Sequence, residues 1–404
     1  MGATQGQVDS SGAAPAGPCP ACGTAGPVPF HVGEDVPVNS CLLLADRDAA
    51  VTFPKGGLAL ALCPECGLIW NCRFDPTRTT YSKDYEETQA FSPTFRAFIQ
   101  RLAADWTERY SLSGGTVVEI GCGKGEFLVE MTRAGIAAGV GVDPGVQPAR
   151  IADGVPVTWI QGLFPHDLPR LSADAVVCRH TLEHIAPVRE FLTSIREAIT
   201  DPGRTVVLFE VPDVQRVLDE VAFWDVYYEH SSYFSAGSVG RLFRATGFEV
   251  LRIERAYSDQ TLLVEARVGH SGTAPALPIE EDPADLAAAA AQFATEYQRM
   301  VSHWRDRIRT VSVTGGATVI WGGGSKGVAF LAALGPDSAL VDGVVDINPF
   351  KQNQYMAGTG HQVLAPKDLI DLEPALVIVM NAAYRDEIGQ ELAGLGLAPI
   401  VEAL

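Results

Sequence analysis

Glu119, Gly121, Gly123, Gly125 and Asp143 lie within VVEIGCGKGEFLVEMTRAGIAAGVGVDP, residues 117–144, the stretch of this chain best suited to cradling a small molecule. It reads as strand, glycine turn, helix and second strand. Glycines let the backbone approach a ligand with no Cβ in the way. Asp143 closes the second strand, 22 positions after Gly121, where an acid can hold a ribose diol. A dinucleotide fingerprint places glycines at the first, third and sixth positions of such a turn, and the sixth here is Glu126. The spacing therefore argues against a pyrophosphate on this turn.

A second group is Cys19-x2-Cys22, followed after 40 residues by Cys63-x2-Cys66. Zinc prefers four thiolates, each C-x-x-C turn offers two, and a closed four-sulfur shell is structural rather than catalytic. Cys41 and Cys72 are possible substitute ligands without a partner at turn spacing. A third is Arg179-His-Thr-Leu-Glu-His184, expected at the carboxyl end of a strand, where ligands bind in an open α/β sheet. On a helical turn His180 would share a face with His184, and Arg179 with Glu183. The ligand crevice makes zinc binding by the histidine pair unexpected.

A fourth is the run Phe223 to Phe234, FWDVYYEHSSYF, with six aromatic residues in twelve against 8% for the chain. It contains Glu229-His230, an acid beside an imidazole among aromatics. Such a pocket can exclude water and move a proton. Bond formation at a carbon next to a carbonyl needs that base, because the carbon must first become an enolate. Reaction at an amine or phenolate needs little beyond proximity. The fifth group, Gly322-Gly-Gly-Ser-Lys-Gly327, satisfies G-x-G-x-x-G and has Asp346 downstream. On residues alone it suits a nicotinamide dinucleotide, or an anion seated by Lys326 at a helix N-terminus.

The elements that must position these groups alternate. Strands are expected at 116–120, 138–143, 155–160, 174–178 and 205–211, and helices at 92–110, 124–134, 187–199 and 235–246. The pattern implies a mostly parallel, doubly wound sheet, with strands 248–255 and 260–267 as an antiparallel edge. A proline-rich linker (270–284) and a long helix (285–310, stripe Phe293, Tyr297, Met300, Trp304) lead to a second α/β block from residue 316. Residues 1–18 read as a disordered tail without a signal peptide. The 404 residues suit two or three domains. A net charge of −19 argues against a nucleic-acid or membrane-surface binder, and the cytoplasm is the expected compartment.

In combination these motifs resemble the S-adenosylmethionine (SAM)-dependent C-methyltransferases that act on nucleotide-linked deoxysugars. The cysteine pairs, TTYSKDY (79–85), EIGCGKGEF, RHTLEH, YYEHSSYF and GGGSKG…VDINPFK follow the family's order. The resemblance implies a zinc-binding domain (19–90), a class I SAM methyltransferase domain (91–268), a linker and long helix (269–310) and a Rossmann-like α/β domain (311–404). It implies SAM on Glu119, Gly121, Gly123, Gly125 and Asp143, with Gly162 and Leu163 at the adenine and Arg179 nearby, and structural zinc on Cys19, Cys22, Cys63 and Cys66. It makes His230 the base, oriented by Glu229, with Tyr81, Tyr227 and either His180 or His184 assisting at carbon 3 of a 4-keto sugar. Tyr85, Tyr228, Lys326, Asn348 and Lys351 would contact a nucleotide sugar, and the C-terminal block would hold it without redox chemistry. Basic residues are sparse for a pyrophosphate. An O- or N-methyltransferase, a C-methyltransferase with a non-sugar acceptor, and a nicotinamide-dependent sugar oxidoreductase are the enzymatic alternatives. A zinc-ribbon interaction module on a degenerate fold is the non-enzymatic one. A monomer or weak homodimer is expected.

Overall fold

The computed structural model describes residues 16–151, 154–269 and 275–404. Residues 1–15 of the expected tail and 270–274 of the expected linker lie outside them. Three sheets form. The N-terminal sheet takes β1 (His31–Pro37), β2 (Lys55–Leu62) and β3 (Ile69–Asn71), all antiparallel.

The central sheet takes β4 (Thr116–Ile120), β5 (Ala138–Val142), β6 (Val157–Ile160), β7 (Ala175–Arg179) and β8 (Val206–Pro212). These five are parallel, and helices cross between them. β7 and nearly all of β8 are buried along their length, as continuous apolar runs in a sheet covered on both faces should be. The covering helices follow the expected spacing. Pro93–Arg109 is capped by Ser92, which accepts from the Phe95 N–H, and buries Phe98, Ile99, Leu102 and Trp106 on one stripe.

One strand departs from expectation. β9 (Ser232–Tyr233) leaves the central domain and pairs with β3, extending the N-terminal sheet. β10 (Phe248–Ala256) and β11 (Thr261–Val268) form the expected antiparallel edge, with β11 between β8 and β10. The order is β10-β11-β8-β7-β4-β5-β6. Burial fits that order: six successive residues of β11 are buried, whereas β10 has an exposed residue at almost every second position.

The C-terminal sheet is parallel, in the order β14 (Val363–Leu364), β13 (Gly343–Val345), β12 (Thr318–Trp321), β15 (Leu376–Val379), β16 (Ile400–Ala403). The helix Pro283–Val313 braces it, burying Phe293 and Trp304 of the expected stripe. Its Trp304 meets Phe330 edge-on, and its Phe293 meets Phe30 and His31 of the N-terminal part.

Candidate active site

The carboxyl ends of the central and C-terminal sheets open on one cavity of about 540 Å³, which residues from all three parts line. At one end is the first glycine turn. Gly121 and Gly123 have φ of 72° and 53°, in the left-handed region, and both line the cavity. A Cβ on Gly121 would stand 2.0 Å from the Thr181 hydroxyl. Asp143 locks the turn: Oδ2 accepts from the Gly123 N–H at 3.1 Å, and Oδ1 from that of Gly145 at 2.6 Å. Gly125 does not line the cavity; it starts the helix Glu126–Arg133 and lies against Trp159. Gly162 and Leu163 line the cavity beyond Asp143.

The donor and acceptor set fits SAM. A nucleoside fits over glycines beside a ribose-binding acid, and its cationic end needs carboxylates. Glu119 lines the wall at this end but is recessed: it is only 2% exposed, burial pushes its carboxyl up to about 8, and Oε2 has no hydrogen-bond partner. Arg179 lines the cavity beside Glu210, and its Nη2 makes no hydrogen bond. Its Nε donates to Glu210 at 2.7 Å, and its guanidinium lies over the Phe127 ring.

The two histidines after β7 do not share a helical face, because His180 has φ 47° and only Leu182–His184 forms a 3-10 turn. His180 lies between Glu183 (3.6 Å) and Glu210 (3.4 Å). Burial opposes its charge, but the two carboxylates outweigh burial and raise its pKa to about 9. Arg179 pairs with Glu210, not with Glu183. Nδ1 of His184 stands 2.8 Å from the Tyr81 hydroxyl and 3.2 Å from the Glu229 carbonyl. A carbonyl only accepts, so Nδ1 carries the proton and Nε2 is left as the acceptor.

His230 packs edge-on against His184 and Tyr227, with ring centroids 4.9 and 4.7 Å away. Burial first, and the neighbouring His184 second, lower its pKa to about 3, so the imidazole is neutral. Its expected partner faces elsewhere. The Glu229 carboxylate accepts from Tyr85 Oη (3.0 Å), Asn39 Nδ2 (3.2 Å), the Ser40 N–H (3.1 Å) and the Ser40 hydroxyl. Glu229 thus ties the aromatic run to the N-terminal domain and does not orient His230. The acid nearest the histidines is Glu183, which groups with His184 and His230 with one ligand atom from each within 4.8 Å of the others.

The expected substrate contacts divide. Tyr85 lines the cavity. Tyr228 does not: it is buried against Gly56 and Phe74, and its hydroxyl accepts from the Asp75 N–H. Tyr227 faces the cavity and donates to Asp225 at 2.8 Å. Lys326, Asn348 and Lys351 all line the cavity, yet each is already engaged. Lys326 pairs with Asp225 at 2.6 Å, Lys351 with Asp346 at 3.3 Å, and the Asn348 amide donates to Glu86 at 2.8 Å.

Sequence reasoning missed Glu210 and Asp225 as charge partners. Glu210 carried a usable signal, an acid near the end of an otherwise apolar strand. Glu87 was also missed; it lies two residues beyond the segment 79–85.

Away from the cavity, the Sγ atoms of Cys19, Cys22, Cys63 and Cys66 lie within 4.8 Å of one another. Cys19–Cys66 and Cys22–Cys63 are 3.6 and 3.5 Å apart. A tetrahedral ion with Zn–S of 2.3 Å sets its sulfurs about 3.8 Å apart, so the set fits zinc. Cys41 is no substitute ligand: its thiol lies 3.2 Å from the Ser325 hydroxyl in the cavity wall. Cys72 also stands outside the cluster.

Comparison with known proteins agrees with this layout. Residues 95–253 match the family model of a methyltransferase domain, and residues 276–396 that of the C-methyltransferase C-terminal domain. The C-methyltransferase NovU of Streptomyces niveus is 26% identical over 366 residues, covering 86% of this chain and 85% of NovU. The ribosomal protein L11 methyltransferase of Aliivibrio salmonicida is 33% identical over 122 residues, 28% of this chain and 40% of that protein. Among solved structures, the N,N-8-amino-8-demethyl-D-riboflavin dimethyltransferase of Streptomyces davawensis is 24% identical with a TM-score of 0.36, covering 43% of this chain and 55% of its own. The C-terminal match assigns the G-x-G-x-x-G block to a methyltransferase rather than to a nicotinamide enzyme. Among the described residues, no helix is long and apolar enough to cross a membrane.

Proposed function

The chain belongs to the SAM-dependent C-methyltransferases, and on that premise we propose that its acceptor is a nucleotide-linked deoxysugar, methylated at carbon 3 beside a C4 ketone. The observation that carries the carbon chemistry is His230, a neutral imidazole in the cavity wall beside two further polar side chains, His184 and Tyr81.

When bound, SAM supplies a methyl group on a sulfonium centre open to a carbon nucleophile. Gly121, Gly123 and Asp143 would hold its nucleoside, Gly162 and Leu163 would flank the adenine, and Glu119 would lie recessed beside the turn. His230 takes the proton from the carbon next to the ketone. A pKa near 3 makes a weak base, but the developing enolate and the nearby Glu183 and Asp225 favour the imidazolium as the proton moves. Tyr81, whose hydroxyl accepts from His184 Nδ1, donates to the ketone oxygen as it gains charge. Of the two histidines the sequence left open, we assign the assisting role to His184, which positions Tyr81, since His180 is engaged by Glu183 and Glu210. Tyr227 packs on His230 and is fixed by Asp225.

The nucleotide end is assigned to the second glycine turn. Because Lys326 and Lys351 are paired, the diphosphate there depends on N–H groups at the start of the helix Ser325–Leu334. Zinc on the four cysteines is structural and holds the N-terminal domain in shape.

Incubation with 13C-methyl SAM and a nucleotide-linked 4-keto-6-deoxysugar tests the reading. A new carbon–methyl signal in the product is expected. A methyl on oxygen or nitrogen, or turnover only with acceptors lacking a nucleotide, overturns it.

A further inference from the structure

We propose that Glu87, on the segment joining the N-terminal and central domains, is the carboxylate that receives the α-ammonium of bound SAM. The inference rests on the SAM site above and adds to it a cofactor contact from outside the methyltransferase domain match, which begins at residue 95.

The placement is specific. Glu87 lines the cavity above the turn, and its Oε1 lies 2.7 Å from where a Cβ on Gly123 would stand. The segment is pinned on both sides of it. Glu86 binds Arg150 of the central domain at 2.7 Å and accepts from Asn348 of the C-terminal domain at 2.8 Å. Thr88 donates to Glu126, the first residue of the helix after the turn, at 2.5 Å. Glu87 is therefore held against the turn by its neighbours, not by its own side chain.

The one cation near that side chain, among the described residues, is engaged elsewhere. Oε2 is buried and makes no hydrogen bond. The Lys124 ammonium is 3.8 Å away but donates to the Lys83 and Gly145 carbonyls instead. About a third of the Glu87 side chain (35%) stays accessible beside this cavity. An unmade charged hydrogen bond is costly, and an arriving cation removes the cost. SAM brings an ammonium on its amino-acid end, and the other acids at the turn are occupied or recessed. Asp143 accepts from two backbone N–H groups, Glu126 accepts from Thr88, and Glu119 is only 2% exposed. Burial pushes the Glu87 carboxyl up to about 8, which marks the site as short of positive charge.

Isothermal titration of the full chain with S-adenosylhomocysteine and with 5′-methylthioadenosine tests this. The second ligand keeps the nucleoside and thioether but lacks the amino acid. Glu87→Gln should weaken S-adenosylhomocysteine about tenfold or more and leave methylthioadenosine unchanged, and Glu87→Asp should recover part of the loss. Equal weakening of both ligands makes Glu87 a structural or ribose contact and overturns the proposal, as does no weakening of either. If the unaltered protein binds neither ligand, the SAM site itself fails.

Discussion

Glu229 and His230 are adjacent in the chain, yet the carboxylate bonds to Asn39, Ser40 and Tyr85 while the imidazole packs on His184 and Tyr227. Acid and imidazole thus do separate jobs, and their substitutions should separate. His230→Ala should cut turnover by about 10²- to 10⁴-fold, the usual share of a general base. It should also abolish exchange of the acceptor's α-proton with deuterated solvent. Glu229→Gln keeps one acceptor oxygen and should retain that exchange, with a loss of stability of about 1–3 kcal/mol from the donors left unpaired. Loss of exchange in Glu229→Gln at unchanged stability would return Glu229 to the role of orienting the base.

That separation marks the limit of what the sequence makes legible. Strands β4, β7 and β8 and the helices between them are written in local apolar patterns, and so is the strand-end position of Arg179 to His184. The destination of a side chain in the aromatic run is not. Tyr228 and Glu229 form a turn facing the N-terminal domain, and what they meet, Gly56 and Ser40, lies about 170 and 190 residues away in sequence. No local periodicity encodes that contact. The same holds for Lys326: as a cation after a glycine turn it reads as an anion ligand, and only the fold reveals Asp225 beside it, 101 residues away in sequence.

The pH dependence of stability should carry opposite signatures from two histidines. His180 has its pKa raised from 6.5 to about 9 by Glu210 and Glu183 against burial. Its contribution is full below pH 6.5 and is lost as pH rises through about 9. His230 has its pKa lowered from 6.5 to about 3. Its neutral form is favoured above pH 6.5, and stability declines as pH falls from there towards 3. In thermal melts, His180→Asn should flatten the alkaline limb and leave the acid limb in place. A variant that melts in parallel with the parent from pH 6 to 10 would show that His180 is not held as a cation.

Metal content should track activity although the cysteines lie outside the cavity. Cys63 and Cys66 flank the turn between β2 and β3, and β3 pairs with β9 two residues after His230. Elemental analysis should find one zinc per chain. Cys63→Ser should lose it and, through β3 and β9, most methyl transfer, because a structural zinc contributes folding energy directly. Full activity in a zinc-free variant would uncouple the two.

Asp143 and Asp346 occupy matching positions in two sheets. Each ends a strand, each Oδ2 accepts from the middle N–H of a glycine turn (Gly123 at 3.1 Å, Gly323 at 2.9 Å), and each Oδ1 accepts from the N–H two residues on. The equivalence of geometry makes their ligands separable by substitution. Asp143→Ala should raise the KM for SAM by about 10- to 100-fold, the scale of losing charged hydrogen bonds, with the acceptor KM little changed. Asp346→Ala also frees Lys351, and should raise the KM for the acceptor instead. Steady-state kinetics with each substrate varied in turn reads both. If Asp346→Ala raised the KM for SAM, or left the acceptor KM unchanged, the second turn would not be where the acceptor's nucleotide is held.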